Sequence, residues 1–223
     1  MMKQLKQIQQ CVDFFCWKIL DDLLAFSGKP ANDPFAEEGN EAETGLSGIE
    51  CWIAGGAVRD YFMGIRQFKT DIDLFFPDET EFLKADIFFI EKGKELRETR
   101  NSKSFLYKSN RYDLVKKFFS SPDETIKAFD FTVCCAAVDR KRLYLHDSFF
   151  IDLSSRKLVI NTLPYPLSTL QRMQKYIRKG FSICNGGILE IANAIRELDQ
   201  EEMEAKHIES YPDGTKRFVG IDR

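Results

Sequence analysis

The amino-acid sequence predicts an α/β or α+β protein in which short strands alternate with amphipathic helices. Two patterns support this class. Several segments repeat apolar residues every three or four positions, which is the period of a helix. Between them lie short apolar runs bounded by Gly, Pro, Asn or Asp, which is typical of strands. Hydrophobic residues make up 43% of the 223 residues and charged residues 30%, so the chain is expected to bury a core.

The first predicted element is an amphipathic helix over residues 1–26. Val12, Phe15, Ile19 and Leu23 recur at helical spacing, so one face is apolar and needs a partner. That partner is either the rest of this chain or a second copy, which leaves a homo-oligomer through this helix as an alternative. Residues 27–50 are rich in Gly, Asn, Pro and Glu and are expected to form an acidic mobile loop.

Residues 51–165 are expected to form a head domain and residues 166–223 a helical C-terminal cap and tail. The head begins with a strand at 51–54, a glycine turn, a helix to about residue 63 and a strand at 71–76. The other predicted elements are a helix at 79–98, strands at 105–107 and 112–119, a helix from 122, a buried run at 131–138, strands at 143–145 and 158–160, and helices at 166–180 and 187–206.

The composition excludes several kinds of site. The six cysteines form no CxxC pair and the two histidines are far apart, so neither a zinc site nor a disulfide framework is indicated. No apolar run is long enough to span a bilayer and no secretory signal is present, so we expect a cytoplasmic protein without a membrane partner. The net charge of −3 argues against non-specific coating of nucleic acid, so any polynucleotide contact is expected to be local.

Two carboxylates stand close together in the predicted strand TDIDLFF. Asp71 and Asp73 are two residues apart, so both side chains point to the same face of a strand. Like charges at this spacing repel each other unless a cation lies between them. Hard oxygen ligands suit Mg²⁺, and the pattern therefore predicts a magnesium site. Two solvated aspartates at a strand edge are the alternative.

The segment IAGGAVRD, just upstream, is a candidate phosphate-binding turn. Gly55 and Gly56 lie between a buried strand and the start of a helix, where a phosphate oxygen can approach backbone N–H groups closely. Arg59, in the first turn of that helix, is a candidate phosphate contact. A strand-to-helix turn without a ligand is the alternative.

Three segments together resemble the head domain of the bacterial-type poly(A) polymerase and tRNA CCA-adding nucleotidyltransferase family. CWIAGGAVRDYFMGIRQFKTDIDLFF matches the pattern GGxVRD, then LG, then DxD, with Met-Gly in place of LG. FDFTVCCAAVD resembles the RRDFTINALA block, and PLSTLQRMQKYIRKGF resembles PLRxLRAxRFAxxxGF. The resemblance implies an α+β fold, a nucleotidyltransferase-type mixed β-sheet flanked by helices, with an added N-terminal helix and a short helical C-terminal cap.

The resemblance also implies an activity. A nucleoside monophosphate would pass from a nucleoside triphosphate to an acceptor hydroxyl, with two Mg²⁺ held by Asp71 and Asp73. Asp130, in the DFT block, is expected to be the third catalytic carboxylate, and Asp113 in the strand RYDLV is the alternative. Substrate contacts are expected from Gly55, Gly56, Arg59, Lys69, Arg172 and Tyr176.

The sequence departs from the family pattern near Asp130. Phe129 replaces an arginine and Cys134 replaces an asparagine, so ribose recognition and base preference do not carry over. An RNA 3′ end is the favoured acceptor. The alternatives are an enzyme that nucleotidylates a protein or small molecule, like toxin-like relatives in the superfamily, and a nucleotide-binding protein that has lost catalysis.

Overall fold

The chain folds into two units, described in a computed structural model over residues 2–25, 48–65, 71–199, 208–210 and 216–218. Unit 1 comprises residues 1–126 and 136–145, and unit 2 comprises residues 127–135 and 146–223. This division differs from the expected boundary at residue 166, because part of the expected head already belongs to unit 2. The expected loop at 27–50 lies outside the described residues except for its last three.

Unit 1 is built around a mixed β-sheet. In the described ranges the sheet has seven strands in the order β3-β4-β5-β2-β1-β6-β7. They are β1 (Trp52–Ala54), β2 (Ile72–Phe75), β3 (Lys94–Glu98), β4 (Ser102–Tyr107), β5 (Asn110–Val115), β6 (Ala136–Val138) and β7 (Leu143–Leu145). Strands β2 and β5 pair in parallel and the other neighbours pair antiparallel. The expected α+β class with a mixed sheet and flanking helices is confirmed.

The helices of unit 1 flank this sheet. They are α1 (Met2–Phe15), a π-helical turn (Cys16–Leu20), α2 (Asp21–Leu24), α3 (Gly56–Phe62), α4 (Glu79–Lys92) and α5 (Pro122–Lys127). Asp78 caps α4 by accepting a hydrogen bond from the Glu81 N–H at 3.0 Å. Phe89 of α4 stacks on Phe105 of β4 with ring centroids 5.3 Å apart and lies 5.5 Å from Tyr112 of β5. These aromatic contacts anchor α4 to the sheet.

Side-chain alternation gives β2 and β5 one buried apolar face and turns their aspartates to the other face. Ile72 and Leu74 of β2 are fully buried, as are their register partners Tyr112 and Leu114 of β5. Because successive side chains of a strand point to opposite faces, Asp73 and the residues in line with it point away from α4. The buried face therefore fixes the direction in which the candidate site points.

The N-terminal helix packs on its own chain. Phe15, Ile19 and Leu23 are fully buried, and the Phe15 ring lies 5.9 Å from the Tyr61 ring of α3. Beyond the apolar stripe, Arg140 donates to Asp21 at 3.0 Å. Phe15, Ile19 and Leu23 are therefore covered within unit 1, and a homo-oligomer through this helix stays a prediction.

Unit 2 is mainly helical. It contains a short 3-10 turn (Thr132–Cys134), α6 (Phe149–Ser154), α7 (Pro166–Arg178), α8 (Asn185–Arg196) and a hairpin of β8 (Ile208–Ser210) and β9 (Lys216–Phe218). Its aromatic core joins Tyr176 of α7 to Phe131 at 5.8 Å and to Phe181 at 6.1 Å between ring centroids. These contacts seat α7 on the segment that carries the DFT block.

Several element predictions were wrong. The helix expected at 79–98 ends at Lys92, because Gly93 adopts extended backbone, and the residues that follow form β3. The run 158–160 is not a strand but forms one isolated bridge, Phe131 to Ile160. Helix α6 was not among the predicted elements, and the expected C-terminal tail contains the β8–β9 hairpin.

Candidate active site

Three carboxylates share one face of the unit 1 sheet. Asp73 of β2 is the register partner of Asp113 of β5, and neighbours in register on parallel strands point to the same face. Asp71 precedes β2 and stands two residues before Asp73, so it points the same way. The structure thus brings the two aspartates of the DxD motif beside Asp113, the alternative third carboxylate.

The positively charged side chain of Arg111 lies among these carboxylates. The Arg111 Nε is 3.1 Å from Asp71 Oδ1 and 3.3 Å from Asp113 Oδ1. An Nη of Arg111 donates to Ser104 Oγ of β4 at 3.2 Å. Alternation places Arg111 and Asp113 on the same face of β5. The guanidinium therefore neutralises part of the negative carboxylate charge for which the sequence pattern predicted a metal ion.

The donors fit Mg²⁺ in their chemistry. Asp71, Asp73 and Asp113 offer hard carboxylate oxygens, the ligand type that Mg²⁺ binds. Within the residues that the structure describes, no three His, Cys, Asp or Glu side chains already form a group that could hold a metal. Arg111 engages two of the three carboxylates, so a divalent ion held by all three would compete with its side chain.

The glycine turn leaves β1 at the end of the sheet where the carboxylates lie. Ile53 pairs with Leu74, and continuing this antiparallel register places Ala54 opposite Asp73. Gly55 follows directly with φ 79° and ψ −127°, a conformation that only glycine adopts without strain. Its N–H donates to the Ala136 carbonyl at 2.8 Å, so this N–H is engaged in the sheet rather than open to a phosphate.

Arg59 supports the turn from inside the protein. Its side chain is 2% exposed and its Nε donates to Asp60 Oδ1 at 2.8 Å. A Cβ added at Gly56 would meet an Nη of Arg59 at 3.5 Å, so the guanidinium lies directly against the turn. This burial argues for a supporting role in place of the direct phosphate contact expected from the sequence.

Unit 2 holds a separate polar cluster around Asp130. The carboxylate is 5% exposed, and its Oδ2 accepts a hydrogen bond from Arg172 Nε at 2.6 Å. Its Oδ1 accepts from the Phe131 N–H at 3.0 Å. Burial alone would lower the pKa of Arg172, but the Asp130 carboxylate beside it outweighs burial and raises the pKa of this guanidinium. Both oxygens of Asp130 are therefore engaged in orienting unit 2 groups.

Tyr176 belongs to the core of unit 2. It is 8% exposed, its ring packs on Phe131, and its hydroxyl accepts a hydrogen bond from the Cys134 thiol at 3.1 Å. Cys134 stands where the family pattern has an asparagine, so the substitution replaces a polar amide by a thiol that ties α7 to the DFT segment. The geometry favours a packing role for Tyr176 over the expected substrate contact. Lys69, the remaining predicted contact, lies outside the described residues.

A cavity of about 490 Å³ lies elsewhere in unit 1. Its lining residues include Cys51, Glu81, Ser121, Arg140 and Tyr144. None of the catalytic or substrate-binding residues predicted from the sequence lines it. Its lining contains acidic and basic side chains but neither the glycine turn nor Asp71, Asp73 or Asp113. We therefore place the candidate active site at the carboxylate face and not at this cavity.

The sequence analysis did not predict that Arg111 and Ser104 lie at the carboxylate face. The alternation in RYD carried a signal, because it puts Arg111 and Asp113 on one face of any strand. What the sequence lacks is the register that sets β5 beside β2 and β4, and this decides which carboxylates the guanidinium reaches.

None of the helices in the described ranges has the length and apolarity to cross a membrane.

Solved structures show the same fold. A CCA-adding enzyme in complex with CTP is 20% identical, with a TM-score of 0.50 over 66% of this chain and 39% of that chain. The Bacillus stearothermophilus CCA-adding enzyme in complex with CTP is 18% identical, with a TM-score of 0.50 over 70% of this chain and 42% of that one. At these identities the likeness shows the nucleotidyltransferase fold alone.

Sequence relatives identify the family. A protein of Bacillus phage SPbetaL7 described as Gabija anti-defense 2 is 30% identical over 175 residues, which are 75% of this chain and 42% of the relative. This chain therefore matches less than half of the length of that relative and of the enzymes above. The family model for Gabija anti-defense 2 family protein matches residues 6–156, more than half of the chain. The motif resemblance therefore extends to the fold, and the sequence relatives give the family: the chain belongs to the Gabija anti-defense 2 family.

Proposed function

We propose that this chain is a Mg²⁺-dependent nucleotidyltransferase that transfers a nucleoside monophosphate from a nucleoside triphosphate to an acceptor hydroxyl. The observation that carries the proposal is the register of Asp73 with Asp113, beside Asp71 and at the sheet end where the Gly55 turn begins. Carboxylates that bind metal and a turn that admits phosphates are the two parts that phosphoryl transfer requires.

The turn is proposed to bind the triphosphate. Gly56 and Ala57 lie in the first turn of α3, where helix geometry gives their N–H groups no acceptor within the helix. Gly55 holds these groups in place through its backbone conformation and its bond to Ala136. Arg59 is proposed to stiffen the turn from the protein interior without contacting the phosphates, since its guanidinium lies against Gly56 and is paired with Asp60.

The carboxylate face is proposed to bind the metal through Asp71, Asp73 and Asp113. When bound there, Mg²⁺ would neutralise phosphate charge and align the acceptor hydroxyl with the α-phosphorus. The hydroxyl oxygen then forms a bond to phosphorus, the bond to the bridging oxygen breaks, pyrophosphate leaves and the hydroxyl proton passes to solvent. We assign the third carboxylate to Asp113 because it adjoins Asp73, whereas both oxygens of Asp130 are engaged in unit 2.

Arg172 of unit 2 is proposed as a substrate contact, as expected from the sequence. Asp130 fixes the Nε of Arg172, which leaves the two terminal nitrogens of the guanidinium to donate elsewhere, and one of them lies 3.4 Å from Thr169 Oγ1. The side chain of Arg172 is 37% exposed, so a ligand can reach it. The ribose contact of the resembling family is not expected, since Cys134 is engaged with Tyr176.

An RNA 3′ end is the proposed acceptor. The support is the motif resemblance together with fold neighbours that are named CCA-adding enzymes. A second acceptor is favoured by the family match, because the name Gabija anti-defense 2 assigns an anti-defense role to the relative. The second proposed acceptor is therefore a hydroxyl group on a protein of the defence system. Nucleotidylation of that protein would be consistent with an anti-defense role.

Labelled nucleotides test the proposal and separate the acceptors. The purified protein is incubated with Mg²⁺ and each α-³²P-labelled nucleoside triphosphate, with total RNA or with host protein lysate. Label on RNA supports 3′-end transfer and identifies the base, and label on protein supports the second acceptor. Absence of label from both, with nucleotide still bound, would favour the degenerate nucleotide-binding protein and reject the proposed activity.

A further inference from the structure

We propose that Arg111 is a built-in counter-ion of the metal site, which holds the carboxylates in the metal-free protein and competes with the divalent ion for them. The inference rests on the proposed function and deepens it, because it concerns how the same site is loaded. Arg111 belongs to none of the motifs that carry the family resemblance.

The contacts of Arg111 extend over three strands. From β5 its side chain reaches Asp71 beside β2, Asp113 on its own strand and Ser104 on β4, all within 3.3 Å. Ser104 is 3% exposed, so the hydroxyl that receives the Nη hydrogen bond is itself fixed by the sheet. A side chain held at three points is more restricted than an ordinary surface arginine.

The charge of Arg111 opposes a second cation in the same place. One Nε atom contacts Oδ1 of both Asp71 and Asp113, two of the three carboxylates that would hold a divalent ion. A guanidinium and a divalent ion within about 4 Å repel each other, and the repulsion grows as solvent is excluded. Metal binding therefore requires the Arg111 side chain to leave the carboxylates.

A bound nucleotide would offer the Arg111 side chain an alternative partner. Its side chain is 41% exposed, so it can swing out of the sheet face without disturbing the core. A guanidinium donates to phosphate oxygens in a fork geometry, which makes a triphosphate a suitable new partner. Nucleotide would thus relieve the competition, and metal alone would bind more weakly than metal with nucleotide.

Direct metal titration tests the inference without any activity measurement. Mn²⁺ binding is measured by calorimetry for the wild-type chain, Arg111→Gln, Arg140→Gln and Asp73→Asn, all without nucleotide. Arg140 is the matched control, since it is a 38% exposed arginine of unit 1 that is ion-paired to Asp21. We expect Arg111→Gln to bind Mn²⁺ about threefold to tenfold more tightly than the wild type, because exposed ion pairs are screened by solvent and contribute modestly. Arg140→Gln should match the wild type.

The outcomes separate this inference from the proposed function. Arg111→Gln affinity equal to or weaker than wild type, with Mn²⁺ binding lost in Asp73→Asn, would overturn the role of Arg111 and leave the metal site intact. Failure of both the wild type and Arg111→Gln to bind Mn²⁺ would overturn the metal site and the inference together. Thermal unfolding guards against misfolding: Arg111→Gln should unfold at a lower temperature than the wild type without metal and gain more from Mn²⁺, and an unchanged gain would also count against the inference.

Discussion

Asp73 and Asp113 are register partners on β2 and β5, the parallel strand pair of the described sheet. The pairing brings two carboxylates that are distant in sequence onto one face, together with Asp71. It also distinguishes Asp113 from Asp130, which is buried in unit 2 against Arg172. The proposed assignment of Asp113 as a third catalytic carboxylate therefore rests on sheet topology.

Replacing these two aspartates by asparagine should have different effects. Asp113→Asn should lower kcat by about 100-fold or more, because a metal ligand acts mainly on the transition state. Asp130→Asn should leave kcat within a few-fold and raise the KM for nucleotide, since it releases Arg172. Steady-state transfer kinetics decide between them, and the reverse pattern would restore Asp130 as the third carboxylate.

Alanine at Gly55 should impair both folding and nucleotide binding. Gly55 has φ 79° and ψ −127°, and Gly180, just after α7, has φ 86° with open space where a Cβ would stand. Each substitution should destabilise by about 1–2 kcal/mol, because both backbones are unfavourable for a residue with a Cβ. Only Gly55→Ala should weaken nucleotide binding, measured by calorimetry at a temperature where both variants are folded. Equal affinities in the two variants would remove the turn from the site.

The N-terminal helix should stabilise unit 1 without creating a dimer. Phe15→Ala should lower the free energy of unfolding by about 3–5 kcal/mol, because it deletes a fully buried ring. Phe118→Ala is the control, since Phe118 is 37% exposed and should cost far less. Urea unfolding measures both, and light scattering of the wild type reports its mass. A small effect of Phe15→Ala together with a dimeric mass would show that the helix packs on a second copy.

Alkaline pH should destabilise the fold through buried groups. Burial raises the pKa of Cys51 and Cys135 above 9.0 and that of Tyr112 above 10.0, the ordinary thiol and phenol values. The folded state retains these protons while the unfolded chain releases them, so their contribution is complete below the ordinary values and is lost as pH rises above them. Urea unfolding under reducing conditions should show decreasing stability from about pH 8 to about pH 10.5. A constant free energy of unfolding over this range would contradict the burial of these groups.

Tyr112→Phe and Tyr144→Phe should change the free energy of unfolding differently. One removes a buried hydroxyl without a hydrogen bond among the described residues, and the other removes a hydrogen-bonded hydroxyl. The Tyr112 hydroxyl is buried and makes no hydrogen bond with the described residues, whereas the Tyr144 hydroxyl donates to Asp139 at 2.8 Å. Tyr112→Phe should therefore be neutral or stabilising by up to about 1–2 kcal/mol and should weaken the alkaline dependence. Tyr144→Phe should cost about 0.5–1.5 kcal/mol. Chemical unfolding of both variants gives the comparison, and a large loss in Tyr112→Phe would reveal a hydrogen bond at that hydroxyl.

The parts of the fold that follow local rules could be predicted from the sequence. The strand, glycine turn, helix and strand around Gly55 and Asp73 were placed within a residue or two, because apolar runs and glycines mark them. Strand β3 was missed because its residues, Lys94–Glu98, are all exposed and show no apolar alternation. Edge strands of this kind are held by backbone pairing, which composition does not reveal.

The candidate site was predictable only to the extent that its residues are close in sequence. The DxD spacing places Asp71 and Asp73 on one face, but the choice between Asp113 and Asp130 needed the β2–β5 register. The direction of the Arg59 side chain was also beyond sequence patterns, since a first-turn arginine can point to solvent or fold inward. Here it is buried against Asp60 and the turn.

The most direct test of the central claim is nucleotide transfer by Asp73→Asn compared with the wild type and with Glu98→Gln. Glu98 is a sheet carboxylate ion-paired to Lys116 at 2.6 Å, away from the candidate site, so its neutralisation controls for loss of charge. The measurement follows label from an α-³²P nucleoside triphosphate to the acceptor in the presence of Mg²⁺. The account predicts transfer by the wild type and Glu98→Gln, and none by a folded Asp73→Asn. Undiminished transfer by Asp73→Asn would contradict it.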